Sequence, residues 1–117
     1  MVAFFSRVDW QAARELANLV YEATAGGGFA RDFELRDQMR SAAGSIMHNI
    51  AEGFESGTDL EFNRFLRIAR RSANEVQSQL YLALDRAYVA QDQFHLLYDK
   101  TVEVKKLINR FIAYLKK

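Results

Sequence analysis

The chain has no proline and no cysteine, and three of its six glycines sit in one run. Average proline usage of ~5% would place about six in a chain of this length. Their absence favours long uninterrupted helices, because proline breaks helices and marks turns. Without cysteine there is no disulfide framework, no thiolate zinc site and no thiol nucleophile. No stretch approaches the ~18 consecutive apolar residues of a membrane span. The opening Met1 to Phe5 is too short for a signal peptide, and an acid, Asp9, follows closely. An excess of one charge is also missing. Sixteen basic and fifteen acidic side chains leave a net charge of +1, so bulk charge declares no nucleic-acid binder. The 117 residues therefore read as one soluble, cytoplasmic domain.

What is present is helical periodicity. Breaks at Gly26-Gly27-Gly28, at Gly53 to Gly57 and at Ala90-Gln91-Asp92-Gln93 leave four segments. Helices are predicted over about 7–25, 31–56, 59–89 and 92–115. Ser6-Arg7-Val8-Asp9 has the form of a capping box, as does Thr58-Asp59-Leu60-Glu61. Trp10, Ala13, Ala17, Val20 and Thr24 share a face of the first segment, which the triple glycine should stop. Leu35, Met39, Ala42, Ile46 and Ile50 do so in the second, beside a small-residue stripe of Ser41, Ser45, Asn49 and Gly53. The third carries a heptad seam of Phe62, Leu66, Ala69, Ala73, Val76, Leu80, Ala83 and Ala87, widened by Phe65, Ile68, Leu82 and Leu84. In the fourth, Phe94, Leu97, Thr101, Val104, Ile108, Phe111 and Leu115 repeat the pattern. Four apolar stripes joined by short connections predict an all-α, up-down-up-down antiparallel four-helix bundle.

Chemistry is sparse in this pattern. A di-iron bundle needs Glu-x-x-His pairs, and the two histidines give only His48-x-x-x-Glu52 and Asp92-x-x-His95. Serines 41, 45, 72 and 78 lack a nucleophile elbow and an evident histidine relay. Gly26-Gly27-Gly28-Phe29 lacks the Lys-Ser/Thr of a phosphate loop and follows a helix. Haem ligation by His48 or His95 with Met39 or Met47 is specified by no spacing. No enzyme, metal or cofactor is therefore expected.

The basic residues are more informative. Arg64, Arg67, Arg70 and Arg71 fall within eight residues that contain no acid, and Lys100 to Lys117 holds six basic residues and one acid, Glu103. Arg64, Arg67, Arg70, Arg71, Lys105, Lys106 and Arg110 are the candidate contacts to an RNA or DNA backbone. The other reading is a solvated face paired with acids on neighbouring helices. Tyr81, Tyr88, Tyr98 and Tyr114 offer stacking surfaces, though aromatics at helical spacing serve core and interface equally well. Arg40, Asn49, Glu52 and Glu75 lie near apolar seams and are expected to form a structural polar network between helices.

Arg40-Ser41-Ala42-Ala43-Gly44-Ser45-Ile46-Met47-His48-Asn49-Ile50-Ala51-Glu52-Gly53-Phe54 resembles the Ser-Ile-x-x-Asn-Ile-Ala-Glu-Gly signature of proteins encoded in intervening sequences of bacterial 23S ribosomal RNA genes. Phe62 to Glu75 resembles that family's second signature, Phe-Leu-x-Ile-Ala with a following Ser and Glu. Trp10-Gln11-Ala12-Ala13 with Tyr21 matches its first helix. Members often carry prolines where this chain reads Phe29-Ala30 and Met47. The resemblance implies a four-helix bundle assembling as a homopentamer without established catalytic activity. It extends in fold to the accessory variability determinant of diversity-generating retroelements, a strongly basic pentamer that binds nucleic acid and a reverse transcriptase. The expectation is thus a homo-oligomer with an RNA- or DNA-related role, the alternative being a protein-interaction scaffold without nucleic acid.

Overall fold

A computed structural model describes residues 1–116. Its helices are α1 (Val2–Ala23), α2 (Gly27–Arg31), α3 (Phe33–Glu55), α4 (Asp59–Asp85) and α5 (Gln91–Leu115), with no strand among the described residues. The four long helices form a bundle of 45 × 22 × 18 Å. Each packs on its neighbour in the chain, and α1 also packs on α5, closing the square. Their directions alternate. At one end the start of α1 (Phe5), the end of α3 (Phe54), the start of α4 (Phe62) and the end of α5 (Phe111) meet in a chain of aromatic contacts. At the other, Tyr88 just beyond α4 reaches Asp32 at the start of α3.

Between these aromatic ends the core is aliphatic and rich in small residues. Ala13, Ala43, Ala69, Ala73 and Ala83 are fully buried beside Leu16, Ile46, Ile50, Leu66, Leu80 and Ile108. Burying each large aliphatic side chain stabilises the fold by about 1.5–3 kcal/mol. Alanine at the facing positions lets the helix axes close on one another.

The boundaries differ from the periodicity-based ones where tertiary contacts override local signals. The first helix starts at Val2, not near residue 7, with Met1 as a cap that supplies no side-chain bond. Phe5 explains the extra turn, because its ring packs 5.4 Å from Phe111 and 5.0 Å from Tyr114. Ser6 and Asp9 are both buried inside that helix, so their apparent capping box caps nothing. After Gly27, at φ 62°, the chain turns once more as α2 and drives Phe29 fully into the core against Tyr88. Helix α3 then begins at Phe33, where the Asp32 carboxylate accepts the Leu35 N–H at 3.2 Å.

The Thr58 cap forms: its hydroxyl accepts the Glu61 N–H at 3.2 Å. At its other end α4 stops at Asp85, short of residue 89. Ala87 adopts φ 59°, Tyr88 N–H bonds back to the Ala83 carbonyl at 2.9 Å and Ala87 N–H to that of Leu84 at 3.0 Å. This is a Schellman closure with alanine in the left-handed position usually given to glycine. It removes Ala87 from the heptad seam and turns Val89 into the core.

Gly53 marks the tightest approach of α3 to α4. A β-carbon there would lie 2.5 and 2.8 Å from Phe62 ring atoms and 3.2 Å from Phe65 Cβ. Gly44, earlier on α3, has only the His48 ring nearby, at 3.7 Å. Alanine in a helix interior is favoured over glycine by about 1 kcal/mol, whereas overpacking costs about 1–3 kcal/mol. Denaturant unfolding is therefore expected to show Gly44→Ala as neutral or stabilised and Gly53→Ala as destabilised. Equal effects at the two sites would refute the close approach.

Candidate nucleic-acid interface

Two hydrogen bonds define the seam between α4 and α5. Arg70 Nη1 donates to Asn109 Oδ1 at 2.8 Å, and Lys105 Nζ donates to Gln77 Oε1 at 3.0 Å. Both acceptors are neutral amides. They orient the cations without neutralising them, so the charges remain available to an anion. Arg67 and Arg71 are exposed on α4 within a turn of Arg70. None of Arg67, Arg70, Arg71 and Lys105 makes a salt bridge among the described residues.

The other candidate cations differ. Arg64 is held by Glu61 at 3.0 Å and lies over the Phe65 ring at 4.6 Å. The Arg64 hydrogen bond holds the Glu61 carboxyl below its usual range. Lys106 and Arg110 line a shallow depression of α5 together with Asp99 and Glu103. The structure thus places Arg70 and Lys105 at the α4–α5 seam, with Arg67 and Arg71 on the exposed outer face of α4, and leaves Arg64, Lys106 and Arg110 beside acids.

The acids are segregated too. Glu75 lines the opposite flank of α4, in a groove shared with Asp37, Gln38, Ser41, Ser45, Ser72 and Gln79. The α3 flank of α4 thus carries a polar groove with two acids, while its α5 flank carries the Arg70 contact.

The expected polar network is redistributed. Asn49 Nδ2 donates to the Ser45 carbonyl at 2.8 Å and to Ser45 Oγ at 3.0 Å. Ser72 Oγ reaches Ser45 Oγ at 2.9 Å and so bridges α4 to α3. Arg40 acts elsewhere: its Nε donates to the buried Thr24 hydroxyl at 2.8 Å, and its guanidinium covers the Tyr21 ring at 4.6 Å. A cation at the end of α1 also suits the helix dipole. Glu52 and Glu75 are exposed, and no hydrogen bond joins them to Arg40 or Asn49 among the described residues. The helix-to-helix link is Asn49–Ser45–Ser72. Spacing alone marks these two serines as small helix-face residues, because the hydroxyl–hydroxyl contact joins positions 27 residues apart.

Of the tyrosines, Tyr88 packs on Phe29 and donates its hydroxyl to Asp32 at 3.0 Å. Tyr114 packs on Phe5. Tyr81 stays half exposed beside Tyr98. No three His, Asp or Glu side chains cluster as metal ligands among the described residues.

Asp9 is the group that periodicity misses. Its side chain is fully buried, and both carboxylate oxygens lack a hydrogen-bond partner. Burial pushes its pKa from 3.8 up to about 7, against the pull of the Arg110 guanidinium in the opposite direction.

Residues 8–110 match the family described as 23S rRNA-intervening sequence protein. In fold the chain is similar to the crystal structure of a protein of unknown function from the S23 ribosomal protein family of Bacteroides thetaiotaomicron VPI-5482. The two superpose with a TM-score of 0.85 at 24% identity, over 93% of this chain and 98% of that one. That likeness speaks to the fold alone. No curated protein matches the chain significantly.

Two stability predictions follow from these side chains. A raised carboxyl pKa means that the folded state binds the Asp9 proton more tightly than the unfolded chain does. The resulting stability is complete below about pH 4 and is lost as pH rises through about 7, by an amount on the order of a few kcal/mol. Asp9→Asn is expected to flatten thermal stability between pH 4 and pH 8, and an unchanged pH profile in the variant would dismiss the buried acid. Asn49→Ala should cost about 1 kcal/mol, and Glu75→Ala less than ~0.5 kcal/mol. Urea titration checks both, and a larger loss at Glu75 would contradict the exposed placement.

Proposed function

The chain belongs to the 23S rRNA-intervening sequence protein family, and from that premise we propose that it is a non-enzymatic, self-associating cytoplasmic bundle that binds RNA or DNA through the α4–α5 face. The observation that carries this reading is the pairing of Arg70 and Lys105 with amides rather than carboxylates. Arg64 pairs instead with Glu61, and Lys100 with Glu15 and Glu103. Cations held in place but left charged suit a polyanion, whose condensed counterions they release.

Self-association multiplies such a face. Phe54 is 45% exposed and lines an open apolar groove with Ala3, Trp10 and Ala51 between α1 and α3. Exposed apolar surface of this kind favours association, and five subunits are what the family resemblance implies. The same groove supports the second reading, a scaffold whose partner is a different protein.

Filter binding of labelled RNA across a salt series tests the proposal. Log affinity should fall linearly with log salt. Arg67→Glu/Arg71→Glu should weaken binding at least about tenfold and make the salt slope shallower by about one to two. Arg64→Glu, at a cation already neutralised, should do much less. Absence of binding at low salt, or equal effects of the two variants, would reject the α4–α5 face. Sedimentation of the same samples reports the subunit count.

A further inference from the structure

We propose that the α4–α5 seam is a track for single-stranded nucleic acid, with phosphates held by Arg70 and Lys105 and an unpaired base stacked on Tyr81. This rests on the nucleic-acid reading above and narrows it to one strand form.

The seam changes character along its length. Near its Arg70–Asn109 end it is cationic, with Arg67 and Arg71 on the exposed outer face of α4. Lys105 and Gln77 continue it. One helical turn beyond Gln77 stands Tyr81, whose ring is 5.1 Å from Phe94 and 5.7 Å from Tyr98. Phe94 and Tyr98 stack on each other at 5.4 Å, and His95 lies 5.5 Å from Phe94. Phe94 is buried and forms the floor of this cluster, while Tyr81 remains 51% exposed. The two cations and the tyrosine contact residues across the same pair of helices.

Eleven residues separate Arg70 from Tyr81, about 16 Å at ~1.5 Å per residue. A stacked strand advances ~3.4 Å per nucleotide, so about five nucleotides span the seam. The chemistry then selects the strand form. Phosphates are common to duplex and single strand, and the cations do not distinguish them. A tyrosine face is useful only to a base that is not already stacked and paired within a duplex. Tyr81 contacts ring edges of its neighbours, in the edge-to-face geometry with Tyr98 (72° between planes), which braces it without covering it. The bracing lowers the entropy cost of presenting the ring to a base.

The test compares a 12-nucleotide oligo-dT, an oligo-U of equal length and a duplex of equal length, by fluorescence anisotropy at low salt. The full chain is expected to bind either single strand more tightly than the duplex. Tyr81→Leu keeps an apolar contact to Phe94 and should bind single strands about tenfold more weakly, with duplex binding unchanged. Tyr81→Phe keeps the ring and should bind like the parent. Circular dichroism of each variant confirms the fold. Equal affinity for strand and duplex, or full single-strand affinity in a folded Tyr81→Leu, overturns the track while leaving nucleic-acid binding intact. Failure of the unaltered chain to bind any of the three overturns both.

Discussion

The approach of α3 to α4, where Gly53 leaves no room for a β-carbon beside the Phe62 ring, sets the spacing on which the rest of the bundle depends. This is the most extensively packed pair of helices. Ala42 of α3 lies beside Ser72 of α4 along this contact, with the Ser45–Ser72 hydrogen bond next to it. Phe62, pressed against Gly53 on one side, meets Phe111 of α5 at 4.7 Å on the other. Phe111 in turn stacks on Phe5 of α1. One small residue on α3 thereby positions aromatic rings from the three other long helices. Close packing of this kind transmits a local change in volume rather than absorbing it.

The long-range pattern was legible in the amino-acid order because it is repetitive. Seams of three- and four-residue spacing identify the buried faces of all four long helices, and nearly every seam residue lies in the core. The Thr58 cap was legible because both its partners are local. What escaped depends on residues far apart in the chain. Ser6-Arg7-Val8-Asp9 satisfies the local rule for a cap, yet Phe5 finds Phe111 more than a hundred residues away and the helix begins earlier. Ala87 fits the heptad, but its backbone turns left-handed so that Tyr88 can reach Asp32 and Phe29. Of the polar residues near the seams, Glu52 and Glu75 lie exposed, Arg40 spans to Thr24 and Asn49 stays on its own helix.

Charge shows the same division. Counting gives near-neutrality, and grouping by sequence gives a run of arginines. Arg64 is held by Glu61 one turn before it on the same helix, whereas Arg70 is directed by Asn109 across the seam, and only the second contact depends on packing. Exposed ion pairs contribute little to stability, with a typical value of about 0–1 kcal/mol. Their importance here lies in removing some cations from the field and leaving others in it. Helix α4 turns Arg70 toward α5 and Glu75 toward the groove it shares with Asp37, so its two flanks differ in charge.

Asp9 carries a consequence beyond pH-dependent stability. Near neutrality the folded bundle keeps a proton on this carboxyl that the unfolded chain surrenders, so unfolding acidifies the solution and the buffer absorbs what is released. The heat taken up in a scanning calorimeter then includes the buffer's own ionisation heat. Two samples at the same pH, one in phosphate and one in Tris, will differ in apparent unfolding enthalpy by the fraction of a proton this side chain lets go, multiplied by the difference between the two buffers' ionisation enthalpies.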